Sequence, residues 1–209
     1  MAEQLQHVAR PAVGVPAGAL VLLHGRGADM HDLHPLLDLL DPQRRLLGVT
    51  PQGPLALPPG GRHWYRLAGI PTPDPSTFHA TLPLLLAFLD GLPVPRDRVV
   101  LGGFSQGAVM SWAAGLARGG ERPAAIVAMS GFVPRVEGFD LDLEGLDGFP
   151  VAISHGALDP VIPATFGAEA RDLLAGAGAD VTWLETPYPH GVDPSLLPAL
   201  AAFVRAALP

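Results

Sequence analysis

The sequence predicts an α/β fold in which a mostly parallel central sheet carries helices on both faces. Short apolar runs bounded by Gly, Pro or Asp recur along the chain, and they lack the polar and apolar alternation of a half-exposed strand. Such runs are typical of strands that are buried on both faces. Segments with helical leucine spacing lie between them, so strands and helices alternate as they do around a parallel sheet.

The predicted elements follow this alternation in order. Six apolar runs are predicted strands: Ala19 to Leu23, Leu46 to Val49, Val99 to Gly102, Ala125 to Met129, Val151 to Ser154, and Val181 to Leu184. The predicted helices carry the leucines 33, 36, 37 and 40, then 82, 85, 86 and 89, and later span Gln106 to Ala117, Ala164 to Ala175, and Pro194 to Ala207. Thr50 to Gly61 is rich in Pro and Gly and is predicted to be the least structured stretch, a loop of functional size.

Length and composition limit the classes of protein to consider. A chain of 209 residues is predicted to form one domain over residues 1–209, and a hydrophobic content of 48% with 16% charged residues is typical of a globular protein. The formal net charge of −7 argues against nucleic acid as a partner, because the molecule repels phosphate backbones. The absence of cysteine excludes disulfides, thiolate metal sites and a cysteine nucleophile, and it fits a reducing compartment.

The N-terminal region does not have the pattern of a secretion signal or a membrane anchor. Ala12 to Leu23 is uncharged, but Gly14, Pro16 and Gly18 interrupt it and it is too short to span a bilayer. We therefore expect a soluble, cytoplasmic protein with no stable membrane insertion.

The strongest chemical signal is the segment Gly103-Phe-Ser-Gln-Gly107, which matches the pattern G-x-S-x-G. In this pattern a sharp strand-to-helix turn exposes the serine hydroxyl, and the flanking glycines let the turn close without clashes of Cβ atoms. The segment follows a predicted strand and precedes a predicted helix, whose N-terminal N–H groups can stabilise an oxyanion. Ser105 is therefore the predicted nucleophile, with a purely structural turn as the alternative.

A serine hydroxyl needs a general base, and here that base should be a histidine oriented by a carboxylate. In an α/β architecture with this nucleophile turn, the acid and the base lie on loops after later strands, in the chain order Ser, Asp or Glu, His. His190 lies in the Pro-rich loop 186–191 and is the only histidine after His155, so it is the predicted base, with a loop histidine of no chemical role as the alternative. His155 ends a predicted strand and is predicted to be a structural histidine bonded to nearby backbone.

The predicted acid is Asp159, which follows the strand Val151 to Ser154 in a turn closed by Pro160. Asp180 is a rival, but it precedes its strand, which places it at the sheet edge opposite the catalytic loops. Glu185 also stays open as an acid. Three further aspartates belong to an acidic stretch that is predicted to be solvated surface: Asp140, Asp142 and Asp147.

Two backbone N–H groups are needed to hold the negative oxygen of a tetrahedral intermediate. One is predicted to come from Gln106, directly after the nucleophile. The other is predicted to come from Arg26, in the glycine-rich turn that follows the strand Ala19 to Leu23. An ordinary strand-exit turn is the alternative for that segment.

Three histidines and an aspartate near the N-terminus suggest a metal site by their close spacing: His24, His31, Asp32 and His34. We do not favour it, because His31 and His34 are predicted to lie on a helix with core leucines and because a serine hydrolase needs no metal. The sequence therefore predicts neither a metal nor another cofactor.

Four segments resemble the phospholipase/carboxylesterase family, which includes bacterial carboxylesterases and acyl-protein thioesterases. They are Leu-His-Gly-Arg-Gly-Ala-Asp at 23 to 29, Gly-Phe-Ser-Gln-Gly at 103 to 107, His-Gly-Ala-Leu-Asp-Pro-Val-Ile-Pro at 155 to 163, and Pro-His-Gly at 189 to 191. The resemblance implies a compact α/β-hydrolase fold with little or no lid. It also gives Ser105, Asp159 and His190 the triad positions and gives Arg26 and Gln106 the oxyanion N–H groups.

The chain departs from this family where Trp-Tyr-Asp is replaced by Trp64-Tyr65-Arg66, which changes the charge near the acyl site. Trp64 and Phe132 are hypothesised to be walls of an acyl pocket, with plain core as the alternative.

These observations predict a serine carboxylesterase that hydrolyses short- to medium-chain esters through an acyl-enzyme. An acyl thioesterase or lysophospholipase acting on long acyl chains is one alternative, and a non-catalytic binding module on the same fold is another. The expected partner is a small-molecule ester or thioester substrate. Whether the chain forms a homodimer stays open at this stage.

Overall fold

A seven-stranded sheet forms the centre of the protein, whose computed structural model describes residues 5–208. Its strands are β1 (His7–Arg10), β2 (Ala19–Leu23), β3 (Leu47–Pro51), β6 (Val99–Phe104), β7 (Ala125–Met129), β8 (Pro150–Gly156) and β9 (Asp180–Thr186). They are ordered β1-β3-β2-β6-β7-β8-β9, and only β1 runs antiparallel to its neighbour. The predicted parallel sheet and α/β class are therefore confirmed.

Helices cover both faces of this sheet. They are α1 (Leu36–Leu40), α2 (Pro75–Asp90), α3 (Gln106–Gly115), α4 (Ala164–Gly176) and α5 (Leu197–Ala207), with short 3-10 turns at Arg96–Arg98 and Pro194–Leu196. Side chains of β2 alternate between the faces: Val21 and Leu23 pack in a cluster with α2 and α3, whereas Leu20 and Leu22 pack with α1 and α5. Burial on both faces explains why the strands read as continuous apolar runs.

Two expectations about local structure were wrong. His31 and His34 lie in turns before α1, and at His34 the following Pro35 disfavours a helical conformation. The stretch Thr50 to Gly61 is not an unstructured loop, since β4 (Leu55–Leu57) pairs with β5 (Gly61–His63) as a small hairpin. The predicted final helix over Pro194 to Ala207 is confirmed, with a 3-10 turn at its start and α-helical geometry from Leu197.

The edge strand β1 is an element that apolar patterning did not predict. It is four residues long and mostly exposed, so it has no apolar run to reveal it. Within residues 5–208, none of the helices is both long and apolar enough to cross a bilayer.

The parallel strands align their carboxyl ends along one edge of the sheet. Leu23 pairs in register with Gly103, and Phe104 pairs with Met129. Gly156 pairs with Thr186 at the ends of β8 and β9. Loops that follow these strands meet at this edge, where open α/β sheets bind ligands.

Candidate active site

Ser105 lies in a sharp turn between β6 and α3 and has a φ of +55°, which non-glycine residues rarely adopt. The Ser105 N–H donates to the Met129 carbonyl over 2.9 Å and fixes the turn against the neighbouring strand. The strain and the sharp geometry are those that a G-x-S-x-G nucleophile turn requires.

Both motif glycines are needed because other backbone comes too close for a side chain. A Cβ atom on Gly107 would lie 1.9 Å from the Leu23 carbonyl oxygen of β2. A Cβ atom on Gly103 would lie 2.4 Å from the Gly107 carbonyl carbon. The spacing of the motif therefore follows from the tight packing of α3 against the two strands at its start.

A chain of two hydrogen bonds joins Ser105 to His190 and His190 to Asp159. The His190 Nδ1 lies 2.6 Å from Asp159 Oδ2. An ionised carboxylate can only accept, so Nδ1 carries the hydrogen and Nε2 is left as an acceptor. That Nε2 lies 3.1 Å from the Ser105 hydroxyl oxygen, so the hydroxyl donates to it. The arrangement can pass the hydroxyl proton to the imidazole.

The Asp159 carboxylate is completely buried and is held by the backbone of its own turn. The N–H groups of Val161 and Ile162 both donate to Asp159 Oδ1 over 2.8 Å, which leaves Oδ2 for His190. Donors to both oxygens stabilise the charged form of a carboxylate and fix its plane.

The loops that carry Asp159 and His190 are bonded to each other through their backbones. The Ala157 N–H donates to the Thr186 carbonyl over 2.7 Å, and the Leu158 N–H donates to the Tyr188 carbonyl over 3.1 Å. Gly156 allows this approach, since a Cβ atom there would lie 2.2 Å from the Tyr188 carbonyl oxygen. The register of β8 and β9 thus continues into the loops and sets the distance between Asp159 and His190.

The loop after β2 lies directly against Ser105. A Cβ atom on Gly25 would lie 3.5 Å from the Cβ of Ser105 and 3.1 Å from the Phe104 ring. None of the hydrogen bonds found within residues 5–208 uses the Arg26 N–H. The Gln106 N–H begins α3 and has no acceptor inside the helix. Within residues 5–208, both predicted oxyanion donors are therefore N–H groups without an acceptor, one directly after Ser105 and one directly after Gly25, which lies against it.

His24 connects the loop after β2 to the loop after β3. Its Nδ1 donates to the Gly25 carbonyl over 2.7 Å, and its Nε2 accepts from the Gly53 N–H over 2.9 Å. Burial lowers the pKa of His24, which agrees with Nε2 acting as an acceptor. The role of this histidine is structural, and within the described part of the chain no three His, Asp or Glu side chains form a metal site.

The Gln106 side chain has a second role that patterns in the sequence did not reveal. Its Oε1 accepts from the Trp64 N–H over 3.1 Å, and its Nε2 donates to the Tyr65 carbonyl over 2.9 Å. These two bonds clamp the segment after the hairpin against the start of α3. The available signal was a long amide side chain in a segment whose other residues, apart from two serines, are small or apolar.

The hypothesised pocket walls lie in the apolar core. Trp64 is 0% exposed, and its indole N–H donates to the His24 carbonyl over 2.9 Å. Phe132 is 2% exposed and belongs to the same buried cluster. The placement corrects the expectation of pocket walls, because aromatic rings packed on every side offer no free surface to an acyl chain.

The rival residues lie apart from the hydrogen-bonded chain. Asp180 pairs with Pro150 at the amino ends of β9 and β8, which is the opposite edge of the sheet. Glu185 is exposed on β9. A neighbour that the sequence did not predict is Phe104, whose ring lies 4.8 Å from the His190 ring, centroid to centroid, and restricts the tilt of the imidazole.

Comparison with known proteins gives concordant matches. A family model described as Phospholipase/Carboxylesterase matches residues 6–208. An acyl-protein thioesterase 1 of Gibberella zeae is 36% identical over 117 residues, which are 54% of this chain and 49% of that protein. An acyl-protein thioesterase 1 of Mycosarcoma maydis is 34% identical over 128 residues, which are 58% of this chain and 52% of that protein. The matched part spans about half the length of these curated relatives.

Solved structures match over nearly the whole chain. The esterase PE8 has a TM-score of 0.85 at 29% identity, and the match covers 99% of this chain and 100% of that one. A carboxylesterase of Bacillus cereus has a TM-score of 0.82 at 25% identity, with 97% and 94% covered. These structures have the same fold as the protein described above.

Proposed function

The chain belongs to the phospholipase/carboxylesterase family, and from that premise we propose that it is a serine carboxylesterase acting on short- to medium-chain esters. The observation that carries this proposal is the pair of hydrogen bonds from Ser105 through His190 to Asp159. The family is one of hydrolases, and this pair of bonds is the geometry that makes a serine hydroxyl nucleophilic.

The reaction proceeds in two halves. His190 Nε2 takes the proton as the Ser105 oxygen attacks the ester carbon, and the N–H groups of Arg26 and Gln106 hold the resulting oxyanion. His190 then gives the proton to the departing alcohol, which leaves an acyl-enzyme on Ser105. Water attacks this ester with the same base and releases the acid. Asp159 stays ionised throughout and stabilises the imidazolium that forms in each half.

Replacement of the nucleophile tests this proposal. A Ser105→Ala protein should lose turnover of a short aryl ester by a factor on the order of 10⁶, as serine proteases do without their nucleophile. Ser111→Ala is a matched control, since Ser111 is buried in α3, the helix that follows Ser105, and its hydroxyl donates to the Gly107 carbonyl. A fluorophosphonate should phosphonylate the serine of the wild type and of the control only, with loss of fluoride, so that intact-mass measurement finds the phosphonyl adduct in these two proteins. Undiminished turnover in Ser105→Ala would overturn the proposal, and an inert, unlabelled wild type would favour the binding module.

A second candidate is a thioesterase or lysophospholipase acting on long acyl chains. The relatives in fungi are named acyl-protein thioesterases, and two apolar side chains of the acid loop are exposed, Leu158 by 65% and Val161 by 52%. An acyl chain can contact these two exposed side chains, whereas the rings of Trp64 and Phe132 are buried and offer it no surface. Matched esters and thioesters over a series of acyl lengths distinguish the candidates: kcat/KM that falls beyond medium chains supports the carboxylesterase, and kcat/KM that rises with length supports the alternative.

A further inference from the structure

His155 is a buried polar residue that the mechanism above does not use. It lies next to the end of β8, and its side chain is 0% exposed. Its Nε2 lies 2.8 Å from the Ile162 carbonyl oxygen, so Nε2 carries the hydrogen and donates to it. Within residues 5–208 its Nδ1 has no hydrogen-bond partner. A buried nitrogen without a partner lowers the stability of the folded state. Stability alone therefore does not explain why a histidine lies at this position.

The residue that accepts from His155 also holds the acid. Ile162 gives its carbonyl to His155 and its N–H to Asp159 Oδ1, both over 2.8 Å. His155 Nε2 also lies 3.6 Å from Asp159 Oδ2, which is too far for a hydrogen bond. The Asp159 carboxylate therefore has donors of its own turn on one oxygen and the His155 edge beside the other.

Neighbouring elements fix the His155 ring in this orientation. A Cβ atom on Gly167 of α4 would lie 2.5 Å from its Nδ1 and 3.0 Å from the Trp183 ring of β9. The ring is thus wedged between a helix and a strand, with its Nε2 edge towards the acid loop. Packing of this kind keeps a supporting side chain in one rotamer.

We propose that His155 is a positioning residue for the hydrolysis, which holds the Asp159 turn so that Oδ2 meets His190 Nδ1. The inference rests on the proposed function, because it acts through the acid of that mechanism. The sequence predicted only a structural histidine bonded to backbone. The inference adds that the bond from His155 to the Ile162 carbonyl contributes more to kcat than to stability.

Two substitutions at this position separate positioning from packing. His155→Leu fills the space without a donor and should lower kcat on a short aryl ester by about 10- to 100-fold, the range found when an outer partner that orients a metal-binding side chain is removed. KM should change little, because no substrate contact is removed. His155→Gln, whose Nε2 can reach the Ile162 carbonyl, should recover kcat to within a few-fold of the wild type.

A control on the same strand shows how kcat responds when the protein is destabilised without any change at His155. Val151→Ala creates a cavity near the other end of β8, where Val151 is 0% exposed, and should lower the melting temperature without the loss of kcat. If His155→Leu does not fold, His155→Asn serves in its place, since its shorter side chain does not reach Ile162.

The outcomes distinguish this inference from the proposed function. Turnover of the wild type that depends on Ser105 must be present first, and its absence overturns the proposed function. With it present, a donor-free variant that keeps kcat within twofold of the wild type overturns the positioning role. A glutamine variant as slow as the leucine variant also overturns it, because the donor would then have no effect. The selective loss of kcat with rescue by glutamine supports it.

Discussion

The nucleophile turn and the loops that carry the acid and base are held in place by different forces. Ser105 is positioned chiefly by close packing, in addition to its backbone hydrogen bond to Met129: Gly103 and Gly107 leave no room for a further atom, and the strained φ of the serine persists because its surroundings are rigid. Asp159 and His190 are positioned by hydrogen bonds, both within the acid turn and between the two loops.

The difference teaches which changes each region tolerates. A sterically fixed turn does not tolerate an added atom. The addition lowers the free energy of unfolding, because the strand and the helix must separate. A hydrogen-bonded pair of loops does not tolerate the exchange of an acceptor for a donor, or the reverse. Such an exchange lowers kcat, because the fold survives while the path for the proton is lost. The following substitutions test that contrast.

The largest effect is expected for Asp159→Asn in the hydrogen-bonded region. The amide presents an NH₂ group that can donate to His190 Nδ1, which stabilises the tautomer that carries its hydrogen on Nε2 and cannot accept from Ser105. We expect kcat to fall about 10⁴-fold, as it does for this change in serine proteases. Steady-state kinetics on a short aryl ester measure it, with the melting temperature as the check that the fold is intact.

Asp180→Asn is the matched control for that experiment. Asp180 lies at the start of β9, on the edge of the sheet opposite the loops, so the same chemical change should leave kcat within twofold. If the two asparagine variants lost activity equally, Asp159 would not be the acid of the site.

A smaller effect, on stability and not primarily on rate, is expected for Gly107→Ala in the steric region. The new Cβ atom would lie 1.9 Å from the Leu23 carbonyl oxygen, and neither backbone can move without disturbing β2 or α3. Overpacking of this kind should lower the free energy of unfolding by about 3 kcal/mol, as measured by urea denaturation.

Gly176→Ala is the control for added volume. Gly176 ends α4 and lacks a positive φ, and a Cβ atom added there would meet no atom of another element within 4 Å. Alanine should therefore leave the free energy of unfolding unchanged or raise it. Equal losses in the two alanine variants would show that close approach of backbone at Gly107 is not what requires glycine.

The smallest effect is expected for Gln106→Ala. Gln106 lies in the sterically fixed turn, but its side chain acts through hydrogen bonds. The backbone N–H of residue 106 stays in place, but the Trp64 N–H and the Tyr65 carbonyl lose their buried partners. The free energy of unfolding should fall by about 2 kcal/mol. Gln52→Ala removes an exposed bond to Gln6 and should change it little. A loss of rate without any loss of stability would contradict the clamp and assign the side chain to the reaction.

Local patterns predicted some parts of the site well and others poorly. Ser105 was found because its turn needs glycines at fixed spacing, which is a local requirement. Chain order then led to Asp159 and His190, whose side chains meet in the structure. Trp64 and Phe132 were misplaced because aromatic residues near a motif can face a pocket or the core with equal ease, and only packing decides between them. The hairpin of β4 and β5 was missed because its strands are three residues long.

The sequence by itself determined the parallel sheet, the nucleophile turn and the order of acid and base, because apolar periodicity and glycine spacing act over a few residues. Only the tertiary structure decided how far apart the reacting groups lie. The 3.1 Å between Ser105 and His190 depends on residues 85 positions apart, and the 2.6 Å between His190 and Asp159 depends on the register of β8 and β9. Distances of that kind come from the packing and pairing of many residues at once, and no local pattern specifies them.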